Sequence, residues 1–523
     1  MQGEGFRELQ SQLCDRWQSV DQFDRDDCDI LVVPSFSIDQ QEGKKIPGFL
    51  HYEERLLFSL IRLRNPHTRL IYVTAQPLSP VVVEYYLQLL PGIPFSHARD
   101  RLLLLSTYDN SLKPLTQKIL ERPRLQEKIH KAVRPQKAYM VCYNSTVLEQ
   151  ELSLRLGIPL LAPSPDLLYW GSKCGSRGIF AECNLPHADG SPRVWNVEEL
   201  VVAAAQLWER RPDLRRIVIK LNEGFSGEGN ALLDLTPLQD FAPGKTTHAQ
   251  RVAAIHKCLE NLRFQSESDT WTQFQQRIPE LGAIVEAFIE GEEKRSPSVQ
   301  GYITPNGEVK ILSTHDQVLG GLDGQIYIGC SFPADAAYRL RLQEMGVKVG
   351  EALAKRGAIE RYGVDFMAVR QPDTDDWEIN AIEINLRKGG TTHPFMTLKL
   401  LTNGYYDSST GLFYSQQGQQ KYYIASDNLQ QDHYKGLLPS DLMDIVTTHR
   451  LHFDSSTRTG SVFHLMGALS EFGKLGITSI GNSLEEAEAL YNQVEEVLDA
   501  ETQATDNSSH SSPTLPITWL GRD

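Results

Sequence analysis

The apolar and polar positions change period along the chain, and the changes mark out its organisation. Over the first 165 residues, short apolar runs alternate with amphipathic stretches. "DILVVPSF", "RLIYVTA", "RLLLLST" and "AYMVCYN" read as buried strands. "YEERLLFSLIRLR", "VVVEYYLQLL" and "PLTQKILERPRLQEKIHKAV" lie between them and read as helices, as does the following "STVLEQELSLRLG". Continuous apolar strands separated by helices of this length predict a parallel sheet covered on both faces. The strand-to-helix turns carry neither G-x-G-x-x-G nor G-K-[ST], so residues 1–165 have the layout of a nucleotide-binding fold without its phosphate loop.

From about Leu167 the pattern mixes. "LLYWGSKCGSRGIFAECNLP" and "VEELVVAAAQLWERRP" read as helices, and "RRIVIKL" and "NALLDL" as paired strands around a glycine-rich loop. The polar stretch Pro237 to Glu280 is mostly helical by pattern, and "GAIVEAFI" is a strand running into the acidic turn "EGEEKR". "SVQGYITPNGEVKILSTHDQ" predicts a hairpin about "PNG". "AAYRLRLQEMGVKVGEALAKRG" is a helix, and "RYGVDFMAVR" and "WEINAIEINL" are strands about the turn "QPDTDD". The segment His315 to Pro333 reads as a glycine-rich polar loop, bordering an acceptor site or lying plainly on the surface. Tyr423 to Glu501 mixes strand-like runs with the helix "LEEAEALYNQVEEVL", and the Ser/Thr/Pro-rich end is expected to be a disordered tail.

Bulk properties narrow the possibilities. A chain of 523 residues exceeds one hydrophobic core, so several domains are expected. The formal charge is -15 and no Lys/Arg block stands out, which argues against a nucleic-acid partner. Seven scattered cysteines without a C-x-x-C pair point to free thiols in a reducing compartment. No run reaches the roughly 18 apolar residues of a membrane span. The N-terminus lacks the charged-then-apolar pattern of a signal peptide, so a cytoplasmic location is expected.

Candidate chemistry concentrates in two places. The turn centres near Asp373 and Thr374, and folding the Tyr362 to Leu386 hairpin symmetrically about Thr374 sets Asp365 opposite Glu383. Asp365, Glu383 and Asn385 then share a face, since directly opposed residues and residues two apart do so. Two carboxylates and an amide oxygen suit a hard divalent cation, most simply Mg²⁺. An exposed polar hairpin face is the equal alternative. Arg387, in "NLRKGGTTHP", follows directly and could meet a phosphate or an oxyanion, or merely pair with Asp365 or Glu383. His393 shows no partner in the sequence and reads as structural. Lys220 ends the "IVIK" run just before Gly224, Gly227 and Gly229, a loop able to bring backbone N–H groups close to an anion. In "IVEAFIEGEE", residues 285–288 could meet an adenine edge through the backbone, although an ordinary strand is the default.

Taken in order, these pieces resemble the ATP-grasp superfamily from Leu167 to about Leu401. The stretches "VDFMAV", "AIEINLRKGGTTHPF" and "GSVFHLMGALSEFGKLGITSIGNSLEEAEALY" look like pheganomycin-type peptide ligases and related carboxylate–amine ligases. The resemblance implies a multidomain α/β and α+β protein. Its parts would be a parallel-sheet pre-ATP-grasp domain (1–165), an ATP-grasp catalytic domain (166–415), a small C-terminal α+β domain (416–501) and a tail (502–523). It further implies that Lys173 and Lys220 hold ATP phosphates. The loop carrying Glu223, Gly224, Ser226, Gly227 and Gly229 would act as a lid, and Glu286, Ala287 and Phe288 as the adenine hinge. Glu293 would take the ribose, with Glu292 as its neighbour in contention. Asp365, Glu383 and Asn385 would bind Mg²⁺, with Mn²⁺ as the alternative ion, and Arg387 would meet the transferring phosphate. The implied activity is ATP-dependent joining of a small-molecule or peptide carboxylate to an amine through an acyl phosphate. Another ATP-grasp reaction, thioester formation or small-molecule phosphorylation, and a non-catalytic ATP-binding module are the alternatives. No membrane partner is implied, and a homo-oligomer is compatible with the family.

Overall fold

The first sheet explains why its strands are apolar throughout. In the computed structural model, β1 (Asp29–Val33), β2 (Arg69–Thr74), β3 (Leu102–Ser106) and β4 (Ala138–Cys142) are parallel, in the order β3-β2-β1-β4. Ile30 and Val32 enter one apolar cluster while Leu31 and Val33 enter another on the opposite face. Alternate residues are therefore buried on both sides, as in a helix-covered parallel sheet. Residues 2–21, 27–38, 40–90, 92–223, 229–265, 269–320, 326–372 and 376–503 are described by the structure. The expected tail beyond residue 503 lies outside them.

Two helical expectations change in detail. "YEERLLFSLIRLR" lies in a 3₁₀ helix, Phe49–Arg64, entered by the His51 N–H bond to the Gly48 carbonyl. The stretch after Pro114 forms two helices, Leu115–Leu120 and Pro123–Ala132. Pro123 has no N–H to continue the first helix and starts the second, where that N–H is not needed.

The second sheet is antiparallel. β5 (Arg216–Leu221), β6 (Asn230–Asp234), β7 (Arg263–Phe264) and β8 (Ala283–Ala287) follow the order β7-β6-β5-β8. Ile217, Ile219, Leu233 and Val285 pack against Leu200 and Trp208 of the helix Val197–Arg210 and Ile255 of the helix His248–Cys258.

The third and largest sheet carries the remaining strands. They are β9 (Lys294–Ile303), β10 (Val309–Gly320), β11 (Ile326–Phe332), β12 (Glu360–Arg370), β13 (Trp377–Asn385), β14 (Tyr405–Asp407), β15 (Leu412–Tyr414), β16 (Gln420–Gln430), β17 (Gly460–His464) and β18 (Lys474–Gly481). The path runs β13-β12-β9-β10-β11-β16-β15-β14, with β18 joining β16 and β17 joining β18. β9 and β10 form the hairpin about Gly307, whose φ of 83° suits a residue without a Cβ. Within the segment read as a polar loop, His315 to Pro333, the residues up to Gly320 end β10 and Ile326–Phe332 form β11, antiparallel to each other, while residues 321–325 lie outside the described ones. Its His315, Cys330 and Phe332 are buried.

Strands from residue 420 onward extend this same sheet, because β16 pairs with β11. The helix Leu484–Gln503 covers β16 and β18 through Ala487, Tyr491, Val494 and Leu498. One apolar cluster runs from Ile30 and Tyr72 of the first sheet through Phe395 and Tyr423 to Val462 and Ile477. Tyr85 and Tyr86 bind the Phe463 N–H and carbonyl across that junction. None of the seven cysteines forms a disulfide, and no helix among the described residues is long and apolar enough to cross a membrane.

Candidate active site

The site begins with a hairpin register. β12 and β13 pair Asp365 with Glu383 and Gly363 with Asn385, and a bulge follows between Asp365 and Phe366. Tyr362, Val364 and Ile384 point into the core under the helix Arg339–Ala354. Asp365, Glu383 and Asn385 are thereby turned to the other face. Asp365 Oδ2 accepts from Asn385 Nδ2 at 2.7 Å, and its Oδ1 accepts from Gln317 Nε2 of β10 at 2.6 Å. Burial, followed by the facing Glu383 charge, pushes the Asp365 carboxyl up to about 6. The two hydrogen bonds and Arg387 act in the opposite sense. A buried carboxyl with a raised proton affinity facing a second carboxylate is the electrostatic signature of a place where a cation belongs.

A helix and a strand end bring up the lysines. The helix Lys173–Glu182 is capped by Ser172, whose side chain accepts from Gly175 N–H at 3.2 Å. Gly175 has to be glycine, since a Cβ there would stand 2.0 Å from the Tyr169 carbonyl oxygen. Ser176 Oγ accepts from Ile384 N–H at 2.9 Å, which docks the helix on β13. Lys173 Nζ then sits 3.5 Å from Glu383 Oε1, almost fully buried. Asn222, just beyond β5, takes the Cys174 N–H on its side chain and the Lys173 N–H on its carbonyl. That pair of bonds ties the helix start to the strand end carrying Lys220.

Lys220 Nζ lies 2.6 Å from Glu286 Oε2, and Arg177 Nε lies 3.9 Å from Glu286 Oε1. Glu286 thus neutralises two cations from inside β8. Gly229 closes the glycine loop at φ 74°, with its carbonyl accepting from Leu221 N–H. Glu223 faces Arg193 at 3.9 Å. Gly224, Ser226 and Gly227 lie outside the described residues. Arg387 follows β13, and its neighbour Lys388 pairs with the buried Glu360 at 3.0 Å.

The hinge and ribose expectations meet a different geometry. The Ala287 and Phe288 N–H groups donate to the carbonyls of Asp189 and Arg216, so these donors are already used by protein partners. The Phe288 ring stacks under the Arg216 guanidinium at 3.9 Å, with Lys294 4.4 Å from it. Glu293 is not brought to the cluster. Its carboxylate accepts from Arg370 at 2.8 Å and faces Arg295 at 3.6 Å, and Arg295 also stacks on Trp377. Glu292 is exposed. Gln317, Arg177 and Asn222 are the members of the site that the sequence did not announce. None sits in a motif, and only the alternation of β10 could have placed Gln317 on this face.

Lys173 from a helix start reaches Glu383 of the opposed Asp and Glu-x-Asn, and Lys220 ends the strand before the glycine loop; the part of the chain that carries them is an ATP-grasp domain. Residues 166–409 match the family described as "IQCH-like, ATP-grasp", and residues 441–494 match the "PGM1 C-terminal domain". Among named relatives, the L-propargylglycine--L-glutamate ligase of Streptantibioticus cattleyicolor is 28% identical over 88% of this chain and 91% of its own length. The IQ motif-containing protein H of Danio rerio is 23% identical over 77% of this chain, which spans 41% of that longer protein. The fold resembles a biotin carboxylase from Campylobacter jejuni (TM-score 0.53, 12% identity, 92% of this chain and 95% of that one). It also resembles an N5-carboxyaminoimidazole ribonucleotide synthetase solved with ADP (TM-score 0.50, 12% identity, 91% and 97%).

Proposed function

We propose that this ATP-grasp ligase joins an amino-acid-like carboxylate to the amine of a second amino acid or peptide. The observation that carries the reading is the shared face of Asp365, Glu383 and Asn385, reached by Lys173 and lying within the field of Arg387. The relative whose printed name is a ligase of two amino acids supports the substrate class.

The chemistry proceeds in two displacements. A carboxylate oxygen attacks the γ-phosphorus of ATP, the β–γ bridging bond breaks and ADP leaves. The amine nitrogen then attacks the acyl carbon, the carbon–oxygen bond breaks and phosphate leaves with one oxygen of the original carboxylate. The first step opposes anion to anion, so fixed positive charge is the main demand on the protein. Lys173 and Lys220 would hold the phosphates, and Arg387 would face the group in transfer. The donor set of two carboxylates and one amide fits a hard, oxygen-loving cation such as Mg²⁺, which would neutralise phosphate charge when bound with the nucleotide. Glu286 holds Lys220 beside Arg177 and so fixes the ammonium before ATP arrives. The same reading takes the cytoplasm, with its ATP and Mg²⁺, as the compartment.

The test is ADP release across a panel of amino-acid carboxylates and amines, with products identified by mass. We expect ADP and an amide in equal amounts, and loss of both in Lys220→Ala and Glu383→Ala while the melting temperature stays close to wild type. ATP binding without turnover across the panel would favour a non-catalytic module. Full activity in either variant would overturn the site.

A further inference from the structure

A second cluster includes a residue of the helix that follows Arg387, and no step of the ligation uses it. His393 comes from the first turn of the helix Thr392–Thr402, Asp427 from β16 and His464 from the end of β17. One ligand atom from each, two ring nitrogens and a carboxylate oxygen, lies within 4.8 Å of the others, and all three residues are buried. His464 Nε2 is 2.6 Å and His393 Nε2 is 3.5 Å from Asp427 Oδ1. The two imidazole centroids are 3.9 Å apart with their planes tilted by 55°, so the rings converge rather than stack.

His393 is the anomaly. Among the described residues neither of its ring nitrogens has a hydrogen-bond partner, although the residue is only 5% exposed. An unsatisfied buried polar atom costs about 1–3 kcal/mol. Neighbouring groups are already committed elsewhere. Arg55 holds the other Asp427 oxygen and donates to Tyr143 Oη at 2.9 Å, and Lys474 donates to Tyr52 Oη at 2.9 Å. The His464 ring occupies space that only a glycine leaves open, since a Cβ on Gly476 would lie 2.1 Å from its Nε2. Burial, then the adjoining His464, hold the His393 imidazole well below its ordinary range, so it stays neutral with a lone pair to offer.

We propose that His393, Asp427 and His464 bind a divalent transition-metal ion, zinc in the first instance, as a structural clamp. Two imidazoles and one carboxylate are borderline donors that suit zinc and its neighbours. They differ in kind from the all-oxygen set of Asp365, Glu383 and Asn385, which suits Mg²⁺. Arg55 on the far oxygen orients the Asp427 carboxylate and offsets its charge, leaving the net charge of a three-histidine zinc site. The ion would join three separate parts of the chain: the helix after the Arg387 loop, two C-terminal strands and, through Arg55, the 3₁₀ helix of the N-terminal region.

The test uses the full chain, purified, loaded with Zn²⁺ or Co²⁺ and desalted into excess Mg²⁺ so that the oxygen site is filled. Elemental analysis should then find about one transition-metal ion per chain, as expected for a preformed site. Co²⁺ should give visible bands of a low-coordinate nitrogen and oxygen site, and the melting temperature should rise on loading. His393→Ala and His464→Ala should lose the ion, and Glu383→Ala should keep it. A loaded wild-type chain that retains no ion, with an unchanged melting temperature, overturns the proposal whether or not the variants fold. Retention in both histidine variants with loss in Glu383→Ala would place the ion at the oxygen site and overturn it equally.

Discussion

At the scale of residues, the site is a problem in placing like charges close together and then making that tolerable. Asp365 faces Glu383, and the field of Arg387 and the hydrogen bonds from Gln317 and Asn385 oppose the repulsion. Gln317 is accordingly a positioning residue. Gln317→Leu removes a hydrogen bond to a charged group, worth about 1.5–3 kcal/mol, so kcat/KM should fall by roughly 10–100-fold. The Mg²⁺ titration midpoint should move to higher concentration in that variant. An unchanged Mg²⁺ midpoint would mean that Gln317 only fills space. The hairpin was legible in the sequence, but the turn alone does not set the Asp365–Glu383 pair: Phe366 lies opposite Ala381, and the bulge between Asp365 and Phe366 shifts the register by one to bring Glu383 opposite Asp365. Gln317 and the fate of Glu293 were not legible. Which charged group a carboxylate finds can depend on a strand far away in sequence, here β12 with Arg370, which joins the nearby Arg295 in pairing with Glu293.

At the scale of elements, period decided most assignments and neighbours decided the rest. The continuous apolar strands β1, β2 and β4 are buried on both faces as expected, while the edge strand β3 leaves Leu103 exposed. The His315 to Pro333 segment misled because polar and apolar residues share a face, with Gln317 directly opposite Cys330 and His315 packed beside Phe332, so no clean alternation marks the strands. The adenine hinge shows the limit differently. The "VEAF" strand exists, but whether its N–H groups are available depends on the segment at Asp189 and on Arg216, which pattern cannot locate. One element contact gives a pH prediction. Lys474 of β18 is buried against Tyr52 of the Phe49–Arg64 helix, and burial lowers its ammonium to about 8. The unfolded lysine titrates near 10.4, so between these values the unfolded chain binds more protons and folding becomes more favourable as pH rises. Wild type should therefore gain stability over Lys474→Met between pH 8 and roughly 10, by at most about 3 kcal/mol. Parallel denaturation curves across that range would show that the lysine is not desolvated.

At the scale of the whole molecule, the N-terminal sheet and the C-terminal strands share one apolar cluster, separate from the core beneath the β12–β13 hairpin. A chain beginning at residue 166 would expose Phe395, Tyr423, Val462 and Phe463 to water. It should be insoluble or molten, whereas the full chain should unfold its N- and C-terminal parts together. Separate transitions for the two parts would contradict that coupling. The sequence order of the pieces revealed the class of the protein, but not that residues 30 and 463 would meet, because no local pattern encodes a contact of that separation. What the assembled molecule is for can be tested at a single atom. A carboxylate substrate labelled with ¹⁸O in both oxygens should deliver one label to the released phosphate for every amide formed, with ADP as coproduct. Label confined to the amide and unreacted acid, or its appearance in AMP, would contradict transfer of the γ-phosphate to the carboxylate and with it the central claim.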